Sequence, residues 1–143
     1  MLIQKADRVN FSKASSYQQR LIIQRVTDDC IAKFEQLKLK KAYKYILYKV
    51  NTQSSSIVVD KTGPSNASDE DFIAAFPTDE CRYAVYSTTA ERILFINFPA
   101  DGANMRSKMI LASSRDTLRR RLAGVQKEYE ATDLDELKKA IRK

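Results

Sequence analysis

Residues 105–126, MRSKMILASSRDTLRRRLAGVQ, carry a hydrophobic period that only a long helix satisfies, and this limits what the rest of the chain can be. Advancing about 100° per residue, Leu111, Leu118, Leu122 and Val125 share one stripe, the expected core face. Met105, Met109, Ala112 and Asp116 fall together well round from that stripe. Lys108, Arg115 and Arg119 line one edge of this second face, and Arg106 lies beyond the other. A flexible thioether surface framed by fixed positive charge suits a protein partner, although two methionines at this spacing also suit a second core contact.

The elements around this helix alternate. Thr27 is placed to N-cap a first helix over residues 28–39, with Asp28 and Asp29 in its first turn and Cys30, Phe34 and Leu37 on one face. Residues 43–50 and 56–61 are aromatic and β-branched and read as a hairpin, followed by a loop over 62–66. A short helix over 69–75 should bury Phe72 and Ile73 and stop before Pro77. Residues 82–87 and 92–98 read as two more strands. After the long helix, whose end Gly124 fits, residues 127–131 suit a fifth strand and 133–142 a final helix capped by Thr132 or Asp133. This order gives an α+β fold, a mixed central β-sheet with helices on both faces. Residues 1–25 read as a mobile basic N-terminal extension with a short helix or added strand near its end, and residues 26–143 as one domain.

Charge narrows the partner. Lys and Arg outnumber Asp and Glu by 25 to 18, giving +7, which favours an acidic protein surface, a phosphoinositide headgroup or nucleic acid. Chemistry is poorly supplied. The chain has no histidine, so nucleophile schemes that use one are unavailable. Two distant cysteines, Cys30 and Cys81, read as small buried hydrophobes rather than zinc ligands. Three glycines form no phosphate-cradling loop. No metal, no cofactor and no enzymatic activity are expected. Arg119, Arg120 and Arg121 point in three directions on a helix, so no nucleic-acid partner is expected either.

Several blocks then carry a resemblance. Residues 105–116, together with Asp79-Glu80-Cys81-Arg82-Tyr83-Ala84-Val85-Tyr86 upstream, are similar to the actin-depolymerising factor/cofilin family. So are Ala123-Gly124-Val125-Gln126 and Ala131-Thr132-Asp133-Leu134 downstream, and the match is collinear from about Val26 onward. The resemblance implies a single ADF-homology (cofilin-like) domain. It implies binding to actin monomers and filaments with preference for the ADP-bound form, filament depolymerisation with weak severing, regulation by phosphoinositides, and a monomer in the cytoplasm and cytoskeleton. A basic nucleic-acid- or phosphoinositide-binding module without actin remodelling is the alternative.

Carried over by position, the resemblance puts Met105, Arg106, Lys108, Met109, Ala112, Arg115 and Asp116 at an actin-contacting helix. The apolar members would fill a cleft and the cations would meet its rim. Asp116 would accept a hydrogen bond from the partner, or pair with Arg120 at i+4. Leu21, Ile22 and Ile23 match the tail that touches actin, or else pack on the domain. Arg92, Lys138, Lys139 and Arg142 are the filament-side candidates. Two departures stand out. Where the family carries a longer basic hairpin, this chain has Ser87-Thr88-Thr89-Ala90-Glu91, and no serine falls over the tail that family members phosphorylate. Ser12, Ser15 and Ser16 lie further out.

Overall fold

The computed structural model describes residues 23–88 and 92–142. Its chain order is β1 (Arg25–Val26), α1 (Asp28–Lys40), β2 (Tyr43–Asn51), β3 (Ser56–Pro64), α2 (Asp69–Ala74), β4 (Arg82–Ser87), β5 (Ile93–Phe98), α3 (Met105–Arg119), β6 (Lys127–Glu130) and α4 (Leu134–Ile141). The strands form one mixed sheet in the order β1-β3-β2-β4-β5-β6. Its four central strands pair antiparallel, while the edge strands β1 and β6 run parallel to β3 and β5.

Apolar alternation decides which helix lies on which face. Ile46 and Tyr48, Tyr83 and Val85, and Ile93 and Phe95 point to one side, against Phe34 and Leu37 of α1 and Leu111 and Leu118 of α3. Tyr45 and Leu47, Ala84 and Tyr86, and Leu94, Ile96 and Phe98 point to the other, against Phe72 and Ile73 of α2 and Leu137 and Ile141 of α4. Because both faces are covered, β4 and β5 are buried at nearly every position, as the inner strands of a doubly covered sheet must be. The expected α+β architecture with helices on both faces is the observed one.

Local boundaries moved where tertiary contacts outweigh local signals. The loop expected at 62–66 is strand through Pro64. Gly63 lies under the Tyr45 ring, where an added Cβ would fall 2.1 Å from Cε2, so this glycine serves close approach rather than a turn. Thr27 does occupy the N-cap position of α1, but its hydroxyl meets Cys30 Sγ at 3.3 Å instead of capping. Asp133 caps α4 through Glu136 N–H at 2.8 Å, as the sequence allowed.

The expected boundary of the extension also shifts. Ile23 is 5% exposed and its N–H donates to Ser114 Oγ at 2.8 Å, while Arg25 and Val26 pair with Ser56 and Ile57. Residues 23–25 are therefore built into the domain, and β1 is the added strand expected near the end of the extension. Leu21 and Ile22, like Ser12, Ser15 and Ser16, lie outside the described residues.

The long helix is shorter than its period suggested. It ends at Arg119, and Arg121 N–H and Leu122 N–H bond back to Leu118 O and Arg119 O, tightening the last turn. Leu122 is fully buried, and Gly124 turns the chain at φ 101° toward β6. Val125, assigned to the helical core stripe, is half-buried beyond the helix. At Gly124 an added Cβ would sit 3.1 Å from Lys38 Cδ, and Lys38 Nζ donates to Ala123 O at 2.8 Å. Gly124→Ala should therefore cost about 1–3 kcal/mol through backbone strain, read as a lower urea midpoint at unchanged m-value; an unshifted midpoint would show that the turn tolerates a side chain.

Candidate functional site, a methionine-bearing helix face

Helix α3 is held from beneath and left open above. Asn104 caps it, its side chain accepting from Ser107 N–H at 2.8 Å. The approach to the helix is fixed where Asp101 N–H donates to Thr132 O at 2.9 Å. The inner side buries Ile110, Leu111, Ser114, Thr117 and Leu118. Tyr83 reaches up from β4 to donate its hydroxyl to Leu111 O, and burial raises that phenol's pKa, keeping it a donor.

The outer side is unusual in what it shows to solvent. Among the described residues the exposed large hydrophobics are Leu39, Met105 at 67% and Met109 at 45%, so two of the three lie on this one helix face. Arg106, Ala112 and Asp116 are exposed beside them, and Lys108 and Arg115 are half-buried at the margin. All seven residues assigned to the helix site therefore lie together on the accessible side of α3. The second-core use of the methionines does not occur.

Charge placement on α3 breaks a local rule. Helices α1, α2 and α4 each carry acids in the first turn, where the helix dipole favours them. Helix α3 has none there, and Arg106 and Lys108 stand at that end instead. Lys108 Nζ is partly compensated by Asp101 O at 3.3 Å. A positive end on a positive helix dipole weakens a helix, and such local conflicts concentrate at functional surfaces.

Asp116 pairs with its neighbour Arg115, Oδ1 to Nη2 at 3.0 Å, rather than with Arg120 as i+4 spacing suggested. Ile23 is the one described member of the assigned tail, and its buried side chain packs on the domain, the second of the two uses left open for it. The filament-side candidates divide between two elements. Arg92 is exposed at the β4–β5 turn, where its N–H donates to Thr88 Oγ1 at 3.1 Å, and Lys138, Lys139 and Arg142 lie exposed at α4.

Nothing here resembles an activated nucleophile. Burial raises the pKa of both thiols, Cys30 in the core and Cys81 beside α3, so each is held as the less reactive protonated form. Among the described residues no group of three or more acidic or cysteine side chains could hold a metal ion.

Sequence reasoning missed Glu128 and Asn97. Glu128 on β6 accepts from Arg115 Nη1 and, at 3.1 Å, from Asn97 Nδ2. Only the alternation of Lys127-Glu128-Tyr129-Glu130 hinted that the side chain had a specific side to face.

A family model for cofilin/tropomyosin-type actin-binding proteins matches residues 24–143. The chain belongs to the actin-depolymerising factor/cofilin family. The cofilin-family match begins one residue after the buried Ile23 and takes in β1 and every later element. Among relatives, actin-depolymerizing factor 2 of Petunia hybrida is 48% identical over 120 residues, covering 78% of this chain and 84% of the relative. Cofilin of Mycosarcoma maydis is 40% identical over 121 residues, covering 79% and 86%. The crystal structure of Streptomyces griseoflavus cofilin superposes with a TM-score of 0.75 at 36% identity, covering 82% of this chain and 92% of that one.

Proposed function

We propose that this cofilin-family chain binds actin monomers and the sides of filaments and promotes filament disassembly, using the outer face of α3. The observation that carries the reading is the pair of exposed methionines, Met105 and Met109, ringed by Arg106, Lys108 and Arg115 on a rigidly seated helix. Methionine adapts to an irregular apolar cleft at low cost, and the surrounding cations select an acidic rim. Disassembly then follows by linkage. A ligand that binds one filament twist better than another shifts the filament toward it, with preference for ADP-bound subunits. No bond chemistry is involved, and the site of action is the cytoplasmic actin cytoskeleton.

Phosphoinositide headgroups would compete for the same cations, together with Lys138 and Lys139, so lipid and actin binding should exclude one another. The nucleic-acid alternative loses support from the geometry of the aromatics. Tyr45 is buried and Tyr43 half-buried, so the Tyr43-Lys44-Tyr45 segment offers no exposed stacking pair. Co-sedimentation with ADP-actin filaments over a range of protein concentrations, with a parallel monomer-binding titration, tests the function. Failure to pellet and failure to bind monomer would together reject it.

Severing should be modest. Five residues, 88–92, connect β4 to β5, and Thr88 N–H donates to Arg92 O at 2.9 Å, closing the turn at its base. Its tip, Thr89 to Glu91, lies outside the described residues. So short an arm offers little reach and one cation toward a second actin subunit, while the α3 contact is unaffected. Fluorescence microscopy of single filaments would read the cutting rate, and severing as fast as that of a long-hairpin relative at equal occupancy would contradict this expectation.

A further inference from the structure

The ion pairs beneath the partner face converge on one carboxylate. Glu128 Oε2 takes Arg115 Nη1 and, at 3.1 Å, Nδ2 of Asn97, a side chain that is itself only 7% exposed. Glu128 Oε1 lies 3.6 Å from Arg119 Nε. Asn97 fixes the carboxylate from β5, and the carboxylate fixes the guanidinium from β6. Asp116 holds the other terminal nitrogen of Arg115 at 3.0 Å from the helix side. A guanidinium has five N–H donors, these two contacts use only two, and the Arg115 side chain remains 39% exposed.

We propose that Glu128 is a positioning residue for actin binding: it locks Arg115 in the orientation that the α3 face presents to its partner. The inference rests on the reading of α3 as the actin-contacting face and adds to it a residue that does not touch actin. Physically, a long cationic side chain free on a surface must give up its rotamers when it docks. One already held by a carboxylate from below loses much less. The alternative role for Glu128, neutralising excess positive charge, has the opposite sign, because removing the acid would then strengthen binding to an acidic partner.

Two variants separate these roles. Glu128→Gln keeps an oxygen for Asn97 but removes the charge, and Glu128→Asp keeps the charge but shortens the reach. Both should weaken monomer binding by about tenfold, with melting temperature nearly unchanged. Neither should have any further effect in an Arg115→Ala background. In the free protein, 15N relaxation of the Arg115 side-chain Nε should show greater mobility in both variants. Wild-type or tighter binding by Glu128→Gln would overturn the proposal, as would an equal loss in the Arg115→Ala background. If Arg115→Ala binds more weakly and the Glu128 variants do not, positioning alone fails. If Arg115→Ala and the charge reversals at Arg106 and Lys108 all bind like wild type, the α3 reading fails and takes the proposal with it.

Discussion

Reversing charge at Arg106 and Lys108 together is expected to weaken actin-monomer binding roughly thirtyfold or more, at little cost to the fold. Two partly desolvated rim contacts at about 1–3 kcal/mol each set this lower bound. The fold should tolerate the change for a specific reason. Arg106 is exposed and Lys108 makes one exposed contact, Nζ to Asp101 O. Glutamate at the same positions would lie at the helix N-terminus, where the dipole favours acids. The melting temperature should hold steady or rise slightly while affinity collapses. Few surface substitutions combine those two outcomes, so the pair is a sharp test. Undiminished affinity in the double variant would remove α3 from the interface.

The largest stability effect is expected on the other side of the sheet. Phe72 is fully buried at the hub of an aromatic cluster, with ring centroids 5.2 Å from Tyr45, 5.0 Å from Phe76 and 4.4 Å from Tyr86. Phe72→Ala should cost about 3–5 kcal/mol, from lost transfer energy together with the cavity left behind. That is a large part of the roughly 5–15 kcal/mol that a domain of this kind possesses. Urea unfolding would report it as a displaced midpoint. This cluster covers the sheet face opposite α3, so the folded fraction of the variant should bind actin with wild-type affinity. A loss of affinity per folded molecule would show that the two faces are coupled. A cost under about 1 kcal/mol would show that the cluster collapses to fill the gap.

Much of this was legible because helix and strand periods are local. The 3.6-residue recurrence of Cys30, Phe34 and Leu37 and the apolar run of β4 each announce their own geometry within one element. The open face of α3 was legible for the same reason. Met105, Met109, Ala112 and Asp116 are brought together by helix pitch alone, before any tertiary contact forms. The family resemblance supplied the use proposed for that face.

What the sequence alone could not decide were the contacts between residues far apart in the chain. Helix α3 stops at Arg119 although its hydrophobic period runs on, because burying Leu122 and delivering Gln126 to Ile93 at the start of β5 outweigh another helical turn. Ile23 turns inward because Ser114, ninety-one positions away, offers its N–H an acceptor. Thr62 and Gly63, turn-forming by composition, stay extended because they pair with Ile46 and Tyr45 of β2, and the Tyr45 ring fills the space a side chain at Gly63 would need. Glu128 becomes the partner of Arg115 only once β6 has paired with β5 and brought the carboxylate under the helix. Short-range periodicity set the elements, their buried sides and the exposed face of α3. Tertiary structure decided where elements end and which charges are already held, since both are settled by competition among groups that meet only in the folded chain.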